Sequence, residues 1–467
     1  MQLLRMWRAP VDRARLGRFD DFLAAAAPAF RPLLRPALRA QAEVLGLEKI
    51  GVREDERFGR ALDVTTRTEI LDAELLVQAN RLIAIYVQVP RQRTRLVINS
   101  ARQVTTSEPG GPSLEVAYVA PELEFVEFEA LSRAAEEMLG CTLRPYRFPS
   151  TRFDELKAEG RESPSVSQPA DILSATILAD RTTRSLATSI KTAGGLLLRD
   201  VARQLPEEVR ERASEIQTRL QGAQLVESEI VVVCSKSQSQ TARAPSRELI
   251  ASLSDQGLRC ACGRAIADER IEEALTITDH GRAMLDKSHW LTILLIEELT
   301  KVGVPLSDIL VDQQLGGDEI DCLANISGEL TLFELKDKEF NLGNAYSFGA
   351  KIAIIRPEHS VIISTERVGN DAKDHFQRAR LAERSERLPE REQSEIRYIE
   401  GVEALSGAVR DLADQIYVAD IRRILSTLVP LASLTANTIL ESIDRAAQAR
   451  LDTPVSRLST TSDAGAA

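Results

Sequence analysis

The stretch from Leu315 to Lys336, LGGDEIDCLANISGELTLFELK, constrains the fold of this chain more than any other. Ile320 to Ile326 is apolar and flanked by turn residues, Ser327-Gly328 supplies a turn, and Leu330 to Leu335 alternates enough to be a partner strand. The stretch therefore reads as a β-hairpin. Side chains repeat every two residues along a strand, so Glu334 and Lys336 share one face, and Asp321 on the preceding strand comes alongside them. Two carboxylates and an ammonium converge at one place on a sheet.

That set suits metal-dependent hydrolysis of a phosphodiester. The hard oxygen donors of Asp321 and Glu334 would bind Mg2+ or Mn2+, which keeps several waters and takes further ligands from substrate phosphate. The metal lowers the pKa of a bound water and neutralises charge that develops in the transition state. Lys336 would orient the attacking water or stabilise that charge. The competing reading is an Asp and an ion-paired Glu/Lys on an exposed sheet edge. It explains less well why the charges follow Leu332-Phe333 in a central strand, where an unpaired charge is costly.

The pattern resembles the PD-(D/E)xK, or restriction-endonuclease-like, nuclease superfamily, in which an Asp at the start of one strand is followed by E-x-K on the next. Here Asp321 lies in Gly-Asp-Glu-Ile-Asp, and Glu334-Leu335-Lys336 comes 13 positions later. Lys287 to Leu299, KSHWLTILLIEEL, reads as the family's first helix, ending near Gly303. The Gly-x-Glu-Ile-Asp form is similar to that of restriction-like and CRISPR-accessory nucleases. The resemblance covers residues 285 to 366, roughly, and implies a mixed sheet flanked by helices, with DNA as substrate in prokaryotic defence or repair. Related nucleases often carry a glutamate early in the first helix, where this chain has Thr292. Glu297 and Glu298, further along, are the residues that would replace it as metal ligands. Asn344 and Tyr346 fall where some families place a substrate-orienting helix, and they match that pattern poorly.

Upstream, residues 171 to 233 show helix (Ile172 to Thr192), short helix (Arg199 to Leu205), a longer helix after Pro206 and a strand at Glu229 to Val233. This order resembles a winged helix, whose third helix would present Arg210, Arg212, Gln217 and Arg219 to DNA. In the alternative reading those arginines pair with Glu207, Glu208, Glu211 and Glu215 at helical spacing. Cys234 then ends the strand, and Cys260-Ala261-Cys262-Gly263 follows a short helix. Tetrahedral Zn2+ needs four donors. Cys234, Cys260 and Cys262 with His280 or His289 would make a structural Cys3His site. The alternative is a degenerate zinc ribbon without metal, its thiols packed as small apolar groups.

Composition sets the outer bounds. The 467 residues carry 59 Lys+Arg against 70 Asp+Glu, a net charge of −11, which argues against nucleic-acid binding over the whole surface. Residues 1 to 53 invert that balance with nine Arg and Lys49 against five acidic residues, a net of +5. Five cysteines, an odd number in a long chain, argue against a disulfide framework, and no stretch approaches the ~18 uncharged apolar residues of a membrane span. No apolar h-region follows the first residues, so a cytoplasmic protein is expected, with DNA and a second copy of the chain in a homodimer as its partners and no membrane. No P-loop, G-x-G-x-x-G, G-x-S-x-G or H-E-x-x-H motif is present.

The expected fold class is multidomain α/β, with a PD-(D/E)xK-like mixed sheet flanked by helices, preceded by a winged-helix-like module and a small α/β N-terminal domain. The expected divisions are a basic helical region (1–64), a small α/β domain (65–153), a linker (154–170), the winged-helix-like module (171–233), a degenerate zinc-ribbon-like segment (234–280), the nuclease-like domain (281–370), a helical extension (371–451) and a disordered tail (452–467).

Overall fold

The run LLRMWRAP, Leu3–Pro10 (β1), is buried at most of its positions and forms an inner strand, so the region expected to be helical begins with sheet. The structure, a computed structural model, describes residues 2–44, 46, 68–90, 111–121, 124–159, 167–315, 317–386, 395–428 and 435–451. Arg95 to Ile98, a run that reads as a strand, the first half of Pro109-Gly110-Gly111-Pro112, which reads as a turn, residues 160–166 of the expected linker and the expected tail lie outside the described residues. The protein is mixed α/β, with three sheets among the described residues, and divides into two units, Met1–Pro149 with Asp411–Ala467, and Ser150–Arg410.

In the first unit β1 is joined by Arg31–Pro32 (β2), Thr68–Gln78 (β3), Arg81–Pro90 (β4), Ser113–Ala120 (β5) and Arg144–Pro145 (β6), in the order β2-β3-β4-β5-β1-β6. Every pairing is antiparallel. The helices Phe19–Ala26 (α1) and Phe128–Ala134 (α3) cover one face, and Leu34–Val44 (α2) follows β2. Trp7, Phe19, Phe22, Ile83, Val116 and Tyr118 belong to one core. Residues 1–64 and 65–153 are therefore not separate domains, because β1 and α1 supply part of the core on which β4 and β5 close.

The second unit starts earlier than composition indicates. Thr151–Glu159 (α4) sends Phe153 and Leu156, one turn apart, into a core with Leu310, Leu323, Leu332 and Phe348. The start of the expected linker is thus a packed helix. Pro169–Ala179 (α5) and Arg181–Ala193 (α6) replace the single helix expected from Ile172. Asp180 divides them, its carboxylate accepting from the Thr183 N–H at 2.8 Å as the N-cap of α6. Leu196–Leu197 (β7), Val201–Gln204 (α7), a 3-10 turn at Glu207–Arg212 and Ala213–Gly222 (α8) lead into Val226–Val233 (β8). Gln240–Ala244 (β9), Arg247–Asp255 (α9) and Arg270–Ile277 (β10) complete an antiparallel sheet, β7-β10-β8-β9.

Asp279–Leu285 (α10) and His289–Lys301 (α11) follow. Gly303, at φ 92°, ends α11: its N–H bonds the Thr300 carbonyl and the Val304 N–H bonds that of Leu299, which is a Schellman closure. The third sheet comprises Ile309–Leu315 (β11), Asp318–Ile326 (β12), Glu329–Lys336 (β13), His359–Ser364 (β14) and Arg397–Glu400 (β15), in chain order across the sheet. The hairpin β12-β13 turns on Ser327 (φ 53°) and Gly328 (φ 91°), two left-handed residues as a type I′ turn requires. β13, β14 and β15 run parallel, so Leu342–Ile355 (α12) and Asn370–Glu386 (α13) serve as crossovers. Residues 371–400 are therefore not helical throughout, since Tyr398 and Ile399 pair with β14. Leu405–Leu428 (α14) contains the division at Asp411, and Ala436–Leu451 (α15) belongs to the first unit, which splits the expected helical extension. Among the described residues no helix is long and apolar enough to cross a membrane.

Candidate functional site

The hairpin register decides where the charged side chains meet. The β12-β13 ladder runs from Ile326↔Glu329 at the turn to Cys322↔Phe333, and the next opposed positions, Asp321 and Glu334, lie just beyond its last pair. Instead of a ladder bond, the Asp321 carboxylate takes the Leu335 N–H at 2.8 Å. On the other side of β12 the ladder with β11 skips Asp312, opposite Asp321, without a change of register. Asp312 is left-handed there, at φ 50°. At this one level the β12–β13 ladder ends and the β11–β12 ladder is interrupted, and a cleft of about 280 Å3 opens there, lined by Asp312, Glu319, Asp321 and Lys336 with Lys287, Ser288 and Thr292.

Glu334 is almost fully buried, with two ammonium groups on its carboxylate. Lys336 Nζ lies 2.7 Å from Oε1, and Lys351 Nζ, from α12, lies 2.6 Å from Oε2. The same two lysines approach Asp321, at 3.6 Å for Lys336 and 3.9 Å for Lys351. Two carboxylates and two ammoniums therefore form a closed quartet, which is how charges are tolerated in a buried strand. Burial, reinforced by the Glu334 charge, pushes the Asp321 carboxyl above its ordinary range against the pull of both lysines and the Leu335 N–H. Burial alone would lower the Lys336 pKa, but the carboxylates of Asp321 and Glu334 hold it above the ordinary lysine value. The thiol of Cys322, next in the chain and fully buried, is pushed up by desolvation.

These donors are hard oxygens, which suit a hard divalent cation better than a thiophilic one. Asp321 and Glu334 would hold such an ion, with Asp312 and Glu319 on the same cleft wall. Each oxygen of the first pair already faces an ammonium or an amide, so a cation would have to displace a lysine contact.

The walls are firmly held. Asp337, after the E-x-K strand, accepts from Trp290 Nε1 at 3.2 Å and Thr365 Oγ1 at 3.0 Å, and pairs with Arg184 Nε at 2.9 Å. Arg184 comes from α6 and lies 4.8 Å from the centre of the Trp290 ring. Lys287 (φ 51°) and Ser288 (φ 60°), both left-handed, turn the chain into α11, and Lys287 pairs with Glu319 at 2.6 Å. Three of the eight described non-glycine residues with positive φ therefore border this one cleft, a concentration of strain typical of functional sites.

Asp321, Glu334 and Lys336 are thus brought together as expected from the hairpin. Glu297 and Glu298 are not. The α11 position that lines the cleft is Thr292, and five or six residues further on the helix has turned away. Glu298 instead meets Lys301 Nζ at 2.7 Å. Burial opposes its ionisation, but hydrogen bonds from Lys301 and Ser406 keep its pKa low. Asn344 and the Asn341 cap bond each other's backbone N–H groups, and Tyr346 is exposed. Lys351 and Asp312 were not foreseen. Lys351 carried a readable signal as the one charged side chain in the 14 residues of α12.

Arg210 and Arg212 fall on the 3-10 turn before α8. Arg212 forms a two-point pair with Glu215, both contacts at 2.9 Å, while Arg219 is on α8 itself. The three cysteines do converge: Cys234, Cys260, Cys262 and Glu269 place their ligand atoms within 4.8 Å of one another. Neither histidine joins them. His280 Nε2 lies 2.9 Å from Ser174 Oγ, beside Asp171, and the fourth donor is the unforeseen Glu269.

No family model and no curated protein matches this chain. Among solved structures it is similar to a protein of unknown function, AF1548, with 16% identity over 33% of this chain and 94% of that one, at a TM-score of 0.19. It is also similar to protein VC1899 from Vibrio cholerae, with 13% identity over 59% of this chain and 63% of that one, at a TM-score of 0.27. Likeness this distant identifies neither an activity nor a family.

Proposed function

We propose that the second unit is a metal-dependent nuclease of the PD-(D/E)xK type, hydrolysing phosphodiester bonds of DNA with Mg2+ or Mn2+, in the cytoplasm and in defence or repair. The observation that carries the reading is the meeting of Asp321 with Glu334-Leu335-Lys336 where the β12–β13 ladder ends and the β11–β12 ladder is interrupted, on the wall of a cleft. Asp321 and Glu334 would hold the ion, which supplies an activated water and charge neutralisation. Lys336, at 24% side-chain exposure the more accessible lysine, would orient that water. The hydrogen-bonded frame of Asp337, Trp290 and Arg184 supports the wall against movement.

A DNA-binding role for residues 171–233 belongs to the same proposal. The order α6, α7, α8, β8, with β8 in an antiparallel sheet, is that expected of a winged helix. Of the three arginines, Arg219 is the one on α8, and Arg212 is occupied by Glu215.

The test is cleavage of single- and double-stranded DNA and RNA by the full chain with Mg2+ and Mn2+, alongside Glu334→Ala and Lys336→Ala. Full metal-dependent cleavage by either variant would sink the reading. One observation favours a second reading, a DNA-binding or regulatory protein on an inactive nuclease scaffold: Lys351 occupies the second oxygen of Glu334. Mn2+ titration separates the two, since a scaffold shows no Mn2+ affinity that depends on Asp321.

A further inference from the structure

The segment between β8 and β10 packs on a small apolar core. Its cluster of buried side chains is five residues, Ile230, Val232, Ala244, Ile250 and Ile266. Three of the five come from the sheet, and segments this small ordinarily need a staple. At the far end of the same segment Cys234 at the end of β8, Cys260 and Cys262 in one turn, and Glu269 just before β10 bring their ligand atoms within 4.8 Å of one another. None of the three cysteines is in a disulfide. Cys234, Cys260 and Glu269 are buried and Cys262 is half-buried, so the donors face inward together instead of lying on an open surface. Tetrahedral zinc, with Zn–S bonds of about 2.3 Å, places its donor atoms about 3.8 Å apart, within that spread.

We propose that Cys234, Cys260, Cys262 and Glu269 form a structural Zn2+ site that ties the ends of the β8–β10 segment together. The donor chemistry selects the metal: three thiolates exclude Mg2+ and Ca2+, and a closed set of four protein ligands leaves no position for substrate. The backbone around the donors is arranged as a metal-binding turn needs. The Ser237 N–H donates to Cys234 Sγ at 3.4 Å, and the Ser235 N–H to Glu269 Oε2 at 2.7 Å, so two amides already offset negative charge on the ligands. Gly263, left-handed at φ 94°, lets the chain fold back directly after Cys262, with its N–H on the Cys260 carbonyl at 2.8 Å. Glu269 Oε1 accepts from Cys262 Sγ at 2.8 Å, so loss of that thiol proton would leave both atoms as donors for a shared ion. The site is independent of the cleft at Asp321 and stands whether or not that cleft is catalytic.

The test uses the full chain. Metal analysis after purification and dialysis should find one zinc per chain, and exchange with Co2+ should produce thiolate-to-cobalt absorption. Cys260→Ser should lower zinc affinity by more than the roughly 10-fold to 100-fold loss that follows removal of an outer-shell partner. Cys141→Ala, in the other unit, should leave zinc content unchanged. A folded wild-type chain with no bound zinc and no cobalt–thiolate absorption overturns the proposal. So does a Cys260→Ser variant that keeps its zinc, or iron in place of zinc. The two wild-type measurements decide the matter even where a cysteine variant does not fold.

Discussion

Replacing Lys351 by Met tests the charge quartet most directly. Met has nearly the reach of Lys and suits a helix, so the change removes the ammonium and little else. In the folded chain the lysine and its partner Glu334 retain 7% and 2% of their side-chain exposure, with 2.6 Å between Nζ and Oε2, so solvent screens the pair weakly. Removing one partner of a buried pair costs about 3–5 kcal/mol because the other charge is left uncompensated. Here the loss falls at the lower end, since Lys336 stays 2.7 Å from the other oxygen of Glu334. For a unit of this size about 3 kcal/mol corresponds to a fall in Tm of roughly 6–12 °C. Thermal unfolding followed by circular dichroism reads it. The double variant Glu334→Gln/Lys351→Met should recover most of the loss, because exchanging both partners of a buried pair for neutral groups is close to neutral. Lys336→Met should cost less than Lys351→Met, its side chain being 24% exposed. A Lys351→Met variant within about 1 kcal/mol of wild type, or a double variant no more stable than the single one, refutes the quartet.

Asp321→Asn should raise Tm at pH 7: the folded protein holds the Asp321 carboxyl above its ordinary pKa, so the charged form is disfavoured on folding. The advantage of Asn should disappear as pH falls below the unfolded value of about 3.9, where the carboxyl is protonated in both states; lower stability of the variant at pH 7 contradicts the sign. Phe153→Ala should destabilise the second unit by about 3–5 kcal/mol in urea unfolding, as a fully buried ring in the main core does, and a loss under about 1 kcal/mol would remove α4 from that core. Gly281→Ala should cost about 1–3 kcal/mol, because an added Cβ would stand 2.1 Å from the Leu225 carbonyl oxygen; unchanged unfolding would mean that α10 does not pack there.

The parts of the site that were legible are those governed by local rules. A two-residue turn and the two-residue strand period together determine that Asp321 faces Glu334 and that Lys336 shares their side. Lys351 depends on a crossover helix whose position follows from packing, yet its sequence context was informative. It lies seven residues after Asn344, two turns along α12, between the buried Phe348 and Ile355, so it occupies an apolar position in a helix with no other charge. A lysine there needs a buried partner, and the nearest carboxylate in the adjoining strand is Glu334. Glu297 and Glu298 failed for a reason of helical phase. At about 100° per residue they point roughly 140° and 120° away from Thr292, on opposite sides of the helix from it. Glu269 gave no signal, since a lone carboxylate seven residues after Cys262 has no ligand spacing of its own.

Domain boundaries drawn from composition failed where a core crosses them. Pro, Gly and Ser density suggested a linker from 154, but the apolar spacing of Phe153 and Leu156 belongs to a helix that packs under the β11–β14 sheet. Arg184 shows the same thing at the site itself. It is 7% exposed, and a guanidinium cannot shed its charge, so its burial requires partners. It finds the Leu178 carbonyl at 2.7 Å on its own side of the chain, and Asp337 and the Trp290 ring on the other. The helices expected to stand apart as a DNA-binding module are thereby joined to the wall of the cleft, and an arginine at one end of α6 positions the residue that follows Lys336.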